Sequence, residues 1–276
     1  MPSTPEIDGV RLATYGDLPR MAVVAAAAFF WSPSFRFQRP RHREFPADTI
    51  SSYWNEYNQA IRDPACVVLV AEDDLDPNEA EHVYDALRRA CRSSFPGPRG
   101  IVGVCSFTLK KDSCYAPLLQ AADHDNSHDR QQINHKARDQ CSEALDIYET
   151  VTRPPKTKHL ADKMRLNTIA VLPRYWRRGH ATRLVNFCTQ IADLDDALLG
   201  VSAAPHGAVV AARAGFEECE TVRIKRLAKH EQQAPEEPRD AADVVLWIGI
   251  RLPFPDRREM NSLIGVRPWR VCPRYG

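Results

Sequence analysis

The chain has 276 residues, of which 43% are hydrophobic and 26% charged, and its formal net charge at pH 7 is +1. A chain of this length can bury one large core, and the balance is typical of a soluble globular protein. The near-zero net charge counts against a partner such as nucleic acid or an anionic membrane surface. No apolar run approaches the roughly 20 residues of a membrane helix. The run at 21–31 begins too late for a signal peptide, so we expect a cytoplasmic protein with no membrane partner.

The cysteines and histidines do not form a recognisable metal motif. The eight cysteines include no C-x-x-C pair, and several lie in apolar runs such as ACVVLVA and IVGVCSF. Reduced thiols in such runs behave as small hydrophobic side chains. His124 and His128 stand four residues apart in a polar segment, a pattern more typical of solvated side chains than of ligands. We therefore expect no metal.

The sequence of residues 1–110 predicts one short strand, two helices and two long strands. VRLATYGDLPRM predicts a short strand, a turn, and a helix capped by Asp17. A second helix is predicted within 45–63, where apolar residues recur at helical spacing: Ile50, Tyr53, Trp54, Tyr57 and Ile61. CVVLVAED and GIVGVCSFTL have the length and composition of strands.

Two polar stretches interrupt this order. The first, about 73–100, predicts one helix at 79–92; the second, about 110–162, predicts a partly helical or mobile segment. MRLNTIAV, ALLGVSA, GFEECETVRI and VVLWIGIRL then read as strands, and ATRLVNFCTQIADLD and HGAVVAARA as helices. A polar loop occupies 225–242 and a proline-rich tail 253–276. Strands and helices mix without strict alternation, so we predict one α/β domain over 1–276 with a mixed sheet.

The turn within PRYWRRGHATRLV, residues 173–185, has the chemistry of an anion site. The first amides of a helix have no intrahelical acceptor and carry positive partial charge. Gly179 allows close approach to the backbone, Ala181 keeps the entrance small, and Arg177 and Arg178 can add charge-assisted bonds. The pattern indicates a diphosphate site, with a capped helix and two solvated arginines as the alternative. Neither the P-loop spacing nor G-x-G-x-x-G occurs.

The whole segment LNTIAVLPRYWRRGHATRLV resembles motif A of the GNAT superfamily of acetyl-CoA-dependent N-acetyltransferases, in which Q/R-x-x-G-x-G/A opens a helix. Trp176 stands where the family has Gln or Arg. RAGF at 213–216 resembles the family's K-x-G-F signature, and VRLATYGDLPRM resembles its opening strand and helix. The resemblance implies the GNAT fold, a mixed, mostly antiparallel twisted sheet splayed at the cofactor site and flanked by helices. Here that fold carries two insertions.

The resemblance also implies acetyl-CoA as co-substrate. The pantetheine arm would lie along the strand at Ile169, Ala170 and Val171, with Ser202 on the opposite wall. The pyrophosphate would lie on the residues of the turn, which are Arg177, Arg178, Gly179, His180, Ala181 and Thr182.

The family reaction is direct attack of an amine on the thioester, which needs a proton acceptor and a proton donor. The family's usual donor is a tyrosine, and its position here is Ala211. His206 and Asp162 are the candidate catalytic residues. The acceptor is expected to be a small-molecule amine held by an aromatic pocket, whose candidate walls are Phe30, Trp31, Phe35 and Phe37.

Alternatives from other classes stay open. Ala211 in place of tyrosine also suits a CoA-binding regulatory module without transferase activity, or an enzyme that uses the cleft for another reaction such as cyclisation. The basic cluster at 36–43 suits a nucleic-acid binder, but the near-zero net charge of the chain disfavours that function. The sequence carries no prediction of oligomeric state.

Overall fold

A seven-stranded sheet of order β1-β2-β3-β4-β5-β7-β6 forms the centre of the computed structural model, which describes residues 3–92, 98–120, 136–225 and 243–254. Every neighbouring pair is antiparallel except β4 with β5. The predicted mixed, mostly antiparallel sheet is therefore confirmed. The strands are β1 (Val10–Leu12), β2 (Cys66–Asp74), β3 (Arg99–Thr108), β4 (Met164–Val171), β5 (Leu199–Ala203), β6 (Glu217–Ile224) and β7 (Val244–Arg251).

Helices cover both faces of the sheet. They are α1 (Leu18–Phe29), α2 (Pro33–Gln38), α3 (Pro46–Arg62), α4 (Asp85–Arg92), α5 (Ser142–Leu160), α6 (His180–Leu194) and α7 (Pro205–Arg213). Alternate strand residues face opposite ways, so Val68 and Val104 pack with α1 and α3 while Leu69 and Phe107 pack with α6. Two apolar cores result, one on each side of the sheet.

The predicted cap of the first long helix is replaced by a different contact. Asp17 is the N-cap residue of α1, but its carboxylate makes no capping bond there. It accepts hydrogen bonds from the Thr14 amide at 2.8 Å and from the Arg11 guanidinium at 2.7 and 3.0 Å. Asp17 thus closes a short 3-10 turn (Tyr15–Asp17) that leads into α1.

The first insertion contains a broken helix where one continuous helix was predicted. A 3-10 turn at Glu79–His82 precedes α4, and Val83 and Tyr84 lie between them. Both are buried, and the Tyr84 ring lies 4.8 Å from the Phe30 ring. Burying these side chains against α1 stabilises a break in the helix that local propensity alone does not predict.

The second insertion supplies α5, which packs over β6 and β7. Its last residue, Leu160, shares a buried cluster with Leu246 and Ile248. Pro154 and Pro155 lie inside this helix. His124 and His128, most of the 225–242 loop and most of the tail lie outside the described residues. Among the described residues, no helix has the length and hydropathy needed to span a bilayer.

Candidate functional site

The two parallel strands at the centre of the sheet separate partway along their length. Residues Met164–Leu166 of β4 pair with Leu199–Val201 of β5, and the pairing stops there. Beyond this point β4 continues beside β3 as far as Val171, and β5 continues beside β7 as far as Ala203. The sheet therefore opens into a wedge toward the carboxyl ends of β4 and β5.

An extra residue in β4 marks the point where the wedge begins. Ser106 pairs with Thr168 and Phe107 with Leu166, so Asn167 is opposite no residue in the β3–β4 register. Such a β-bulge bends its strand and increases the local twist. The bend accompanies the separation of β4 from β5.

The backbone of β4 offers hydrogen-bonding groups to the wedge. The Leu172 amide donates to the Val102 carbonyl at 2.9 Å, so Leu172 and Ala170 direct their backbone groups toward β3. Because these directions alternate along an antiparallel strand, Ile169 and Val171 direct theirs away from β3, into the wedge. The wedge thus has a polar edge along a strand of apolar side chains.

The wedge leads to the open N-terminus of α6. Gly179 is its N-cap, with φ of 87° and no side-chain capping bond. A Cβ added at Gly179 would meet no atom within 4 Å. The first intrahelical bond runs from the Arg183 amide to the Gly179 carbonyl at 2.9 Å. The amides of His180, Ala181 and Thr182 precede this bond, so they can bind an anion.

His180 contributes its amide but not its ring to this surface. The residue is 1% exposed, and its Nε2 lies 2.9 Å from an Asp73 oxygen. Arg183 donates to its Nδ1 at 2.8 Å. Burial lowers the pKa of His180, which is consistent with a neutral ring that accepts at Nδ1 and donates at Nε2. The side chain therefore anchors the turn to the end of β2.

Residues of the first insertion hydrogen-bond to the turn before α6, which the sequence did not indicate. The buried Tyr175 hydroxyl donates to Glu79 at 3.0 Å and accepts from the Asp76 amide at 2.8 Å. Glu79 also accepts two bonds of 2.8 Å from Arg20, which is 1% exposed. Burial raises the pKa of Tyr175 to about 12, so the hydroxyl stays protonated. In the sequence, the only indication of this contact was that the acidic residue Glu79 follows the strand β2.

The two arginines of the turn have different surroundings. The guanidinium of Arg178 lies 3.6 Å from Asp73 and 3.9 Å from Asp76, and 5.0 Å from the Tyr175 ring centre. Arg177 is exposed, has a φ of 63°, and forms no ion pair with any residue the structure describes. Arg177 is therefore the cation more available to a ligand.

An indole lies across the mouth of the wedge. Trp176 is 41% exposed, and its Nε1 donates to the Val171 carbonyl at 2.7 Å. Its ring centre is 6.2 Å from that of His206 on α7 and 5.9 Å from that of Trp31. One of the wedge-facing carbonyls of β4 therefore already has a donor in this structure.

The structure places the predicted catalytic residues at opposite ends of β4. His206 is exposed near the start of α7, beside the wedge mouth. Asp162 is exposed in the turn that enters β4, five residues before the bulge at Asn167. At about 3.3 Å per strand residue, the distance along the chain from Asp162 to Asn167, where the wedge begins, is about 16 Å. This distance counts against Asp162 as a group acting at the wedge. Ala211 is 2% exposed and packs in the apolar core, with no hydroxyl in its place.

The predicted aromatic pocket is only partly exposed. Phe35 and Phe37 are 5% and 6% exposed, and Phe37 packs with the buried Ala144 of α5. Phe30 is half-buried and Trp31 is 45% exposed. Two of the four rings therefore belong to the core, because α2 brings them inward. Ser202, half-buried on β5, lies just beyond the last residue that pairs with β4.

Comparisons with known proteins agree with this architecture. No family model matches the chain. A protein from Stachybotrys chartarum named acetyltransferase is 28% identical over 225 residues, which cover 78% of this chain and 83% of the relative. A solved Corynebacterium glutamicum structure, described as histone acetyltransferase HPA2 and related acetyltransferase, aligns with a TM-score of 0.50 at 16% identity. That alignment covers 90% of this chain and 97% of the other.

A third similarity is to the PaiA N-acetyltransferase of Thermoplasma acidophilum, solved with coenzyme A. Its TM-score is 0.43 at 11% identity, and the alignment covers 90% of this chain and 99% of that chain. The first two similarities confirm the predicted GNAT fold and the predicted resemblance to GNAT acetyltransferases. They support the prediction that the chain is an acyltransferase enzyme.

Proposed function

We infer that the protein is an N-acetyltransferase that uses acetyl-CoA to acetylate a small-molecule amine in the cytoplasm. One observation carries this proposal: β4 separates from β5 beyond Leu166, and the strand is followed in the chain by the uncapped N-terminus of α6, with the Trp176 indole at the mouth of the wedge. A ligand that combines an amide-bearing arm with a pyrophosphate matches that sequence of groups. Coenzyme A has both.

Each part of the cofactor would have its own partners. The pantetheine amides would bond to the backbone of Ile169 and Val171, with Ala170 between them and Ser202 on the opposite wall. The pyrophosphate would accept from the amides of 180–182, and Arg177 would add a charge-assisted bond. Gly179 leaves room for this approach. Because the Trp176 indole donates to the Val171 carbonyl, either the indole would have to release this carbonyl or the pantetheine arm would have to bond to the Val171 amide and the backbone of Ile169.

Transfer requires the acceptor nitrogen to lose protons. An alkylamine has a pKa of about 10, so at neutral pH it is an ammonium with no free electron pair. After one proton leaves, the nitrogen attacks the thioester carbonyl, releases its second proton to water, and the C–S bond breaks with its electrons on sulfur. The thiolate takes a proton in turn, and His206 beside the wedge mouth is the candidate donor.

Calorimetric titration of acetyl-CoA and of CoA into the protein tests this proposal. We expect micromolar binding of both, followed by release of free thiol when amines are added. Absence of binding at millimolar cofactor would mean that the turn is only a helix start. Tight binding without transfer to any amine would favour a CoA-binding regulatory module, for which Ala211 in place of tyrosine is the supporting observation.

A further inference from the structure

The Trp176 indole reaches from one side of the wedge to the other. Its Nε1 donates to the Val171 carbonyl, at the end of β4, at 2.7 Å. Its ring centre lies 6.2 Å from that of His206, which belongs to the first turn of α7, the helix that follows β5. One side chain therefore connects the two strands across the mouth of the wedge that they form.

A second tryptophan contacts this indole. The ring centres of Trp31 and Trp176 are 5.9 Å apart, and the two ring planes are nearly perpendicular, at 71°. The rings of Trp176 and His206 are inclined by 35°. Both centre-to-centre distances fall in the range in which aromatic rings attract one another. We call these three residues, Trp31, Trp176 and His206, the aromatic bridge.

The aromatic bridge lies in the path that the pantetheine arm would take. An arm that runs from the amides of 180–182 to the backbone of Ile169 passes Val171. A carbonyl oxygen can accept two hydrogen bonds, so the bond from the indole would not by itself exclude an amide of the arm. The ring does exclude the arm, because it lies between the Val171 carbonyl and the His206 ring. The indole and the arm therefore compete for one place.

The Trp176 side chain can leave this place without disturbing the core. Trp176 and the three residues that follow it, 177–179, are exposed, whereas Tyr175 before it is fully buried. The Tyr175 hydroxyl is bonded to Glu79 and to the Asp76 amide, so the start of the turn is fixed. An exposed side chain changes rotamer within picoseconds to nanoseconds, and this change needs no movement of the sheet.

We propose that the Trp176 indole is a gate for the cofactor, held closed by the aromatic bridge and opened when the pantetheine arm takes its place. This inference rests on the proposed function, since the arm belongs to coenzyme A. The fraction of molecules with the gate open sets the apparent affinity for CoA. Opening also separates the indole from His206, so the candidate proton donor is released in the same step.

Tryptophan fluorescence measures the opening. The chain has five tryptophans, so the signal of Trp176 is the difference between the wild type and Trp176→Phe. An imidazole in contact with an indole quenches its emission, so CoA should raise this signal. Pantetheine, which has the arm without the nucleotide, should raise it too. ADP, which has a pyrophosphate without the arm, should bind and leave it unchanged. Trp54→Phe, which removes a buried tryptophan of α3, is the matched control and should keep the CoA response.

Calorimetric titration of CoA tests whether the aromatic bridge holds the gate closed. Trp176→Phe removes the bond to the Val171 carbonyl and keeps a ring, so binding should tighten about fivefold. Trp176→Ala also removes the two ring contacts, each worth about twofold at exposed positions, so binding should tighten about 20-fold. The affinity for ADP should be the same in the wild type and both variants, which checks that the turn is intact.

The outcomes distinguish the gate from the function on which it rests. CoA that binds without changing the Trp176 signal would refute the gate, and so would Trp176→Ala that binds CoA no more tightly than the wild type. If Trp176→Ala bound ADP and CoA more weakly by the same factor, Trp176 would be a structural part of the turn and the proposal would also be wrong. Failure of both the wild type and Trp176→Ala to bind CoA would instead overturn the proposed function.

Discussion

Substitution of Gly179 separates backbone strain from loss of the ligand. The residue has φ of 87°, a left-handed conformation that costs other L-residues about 1–2 kcal/mol. An added Cβ meets no protein atom within 4 Å, so no steric clash adds to that cost. We therefore expect Gly179→Ala and Gly179→Trp to lower Tm by a similar amount, roughly 2–4 °C. Thermal unfolding followed by circular dichroism measures this shift.

The two variants should differ in CoA affinity, because the space that a Gly179 side chain would enter holds no protein atom within 4 Å and would be filled by the pyrophosphate of CoA. Two charge-assisted hydrogen bonds are worth about 1.5–3 kcal/mol each, so displacing the pyrophosphate weakens binding roughly 10²–10⁴-fold. Calorimetry should show a loss of this size for Gly179→Trp and a smaller loss for Gly179→Ala. If the Trp variant bound CoA as tightly as the wild type, with Tm lowered as expected, the assignment of the turn as the pyrophosphate site would be wrong.

Three other substitutions test the surroundings of the site. Trp176→Phe frees the Val171 carbonyl, and removing one competing neutral hydrogen bond should tighten CoA binding about fivefold; weaker binding would mean that the indole contacts the ligand. Glu79→Ala leaves Arg20 buried without its carboxylate and should cost about 3–5 kcal/mol in urea unfolding, whereas a change under 1 kcal/mol would contradict the supporting role of the first insertion. His206→Ala should lower kcat at least tenfold with unchanged CoA affinity, and an unchanged kcat would remove it as the proton donor.

Local sequence determined the elements of the site. The backbone conformation at the start of a helix depends on the preferences of adjacent residues, and glycine adopts positive φ readily. PRYWRRGHATRLV therefore indicated the open start of α6 correctly. The strands and most of the helices followed from hydrophobic periodicity in the same way. The separation of β4 from β5 was expected through the family resemblance, and pairing that ends at Leu166 matches it.

Only the tertiary structure decided which side chains surround those elements. His180 meets Asp73 across 107 residues of sequence, and Tyr57 meets Thr168 across 111. No local pattern encodes such pairs, because they depend on how helices pack on the sheet. The same packing placed Phe35 in the core and left Trp31 45% exposed. Burial and desolvation are properties of the assembled fold, and they set the pKa and accessibility on which the chemistry depends.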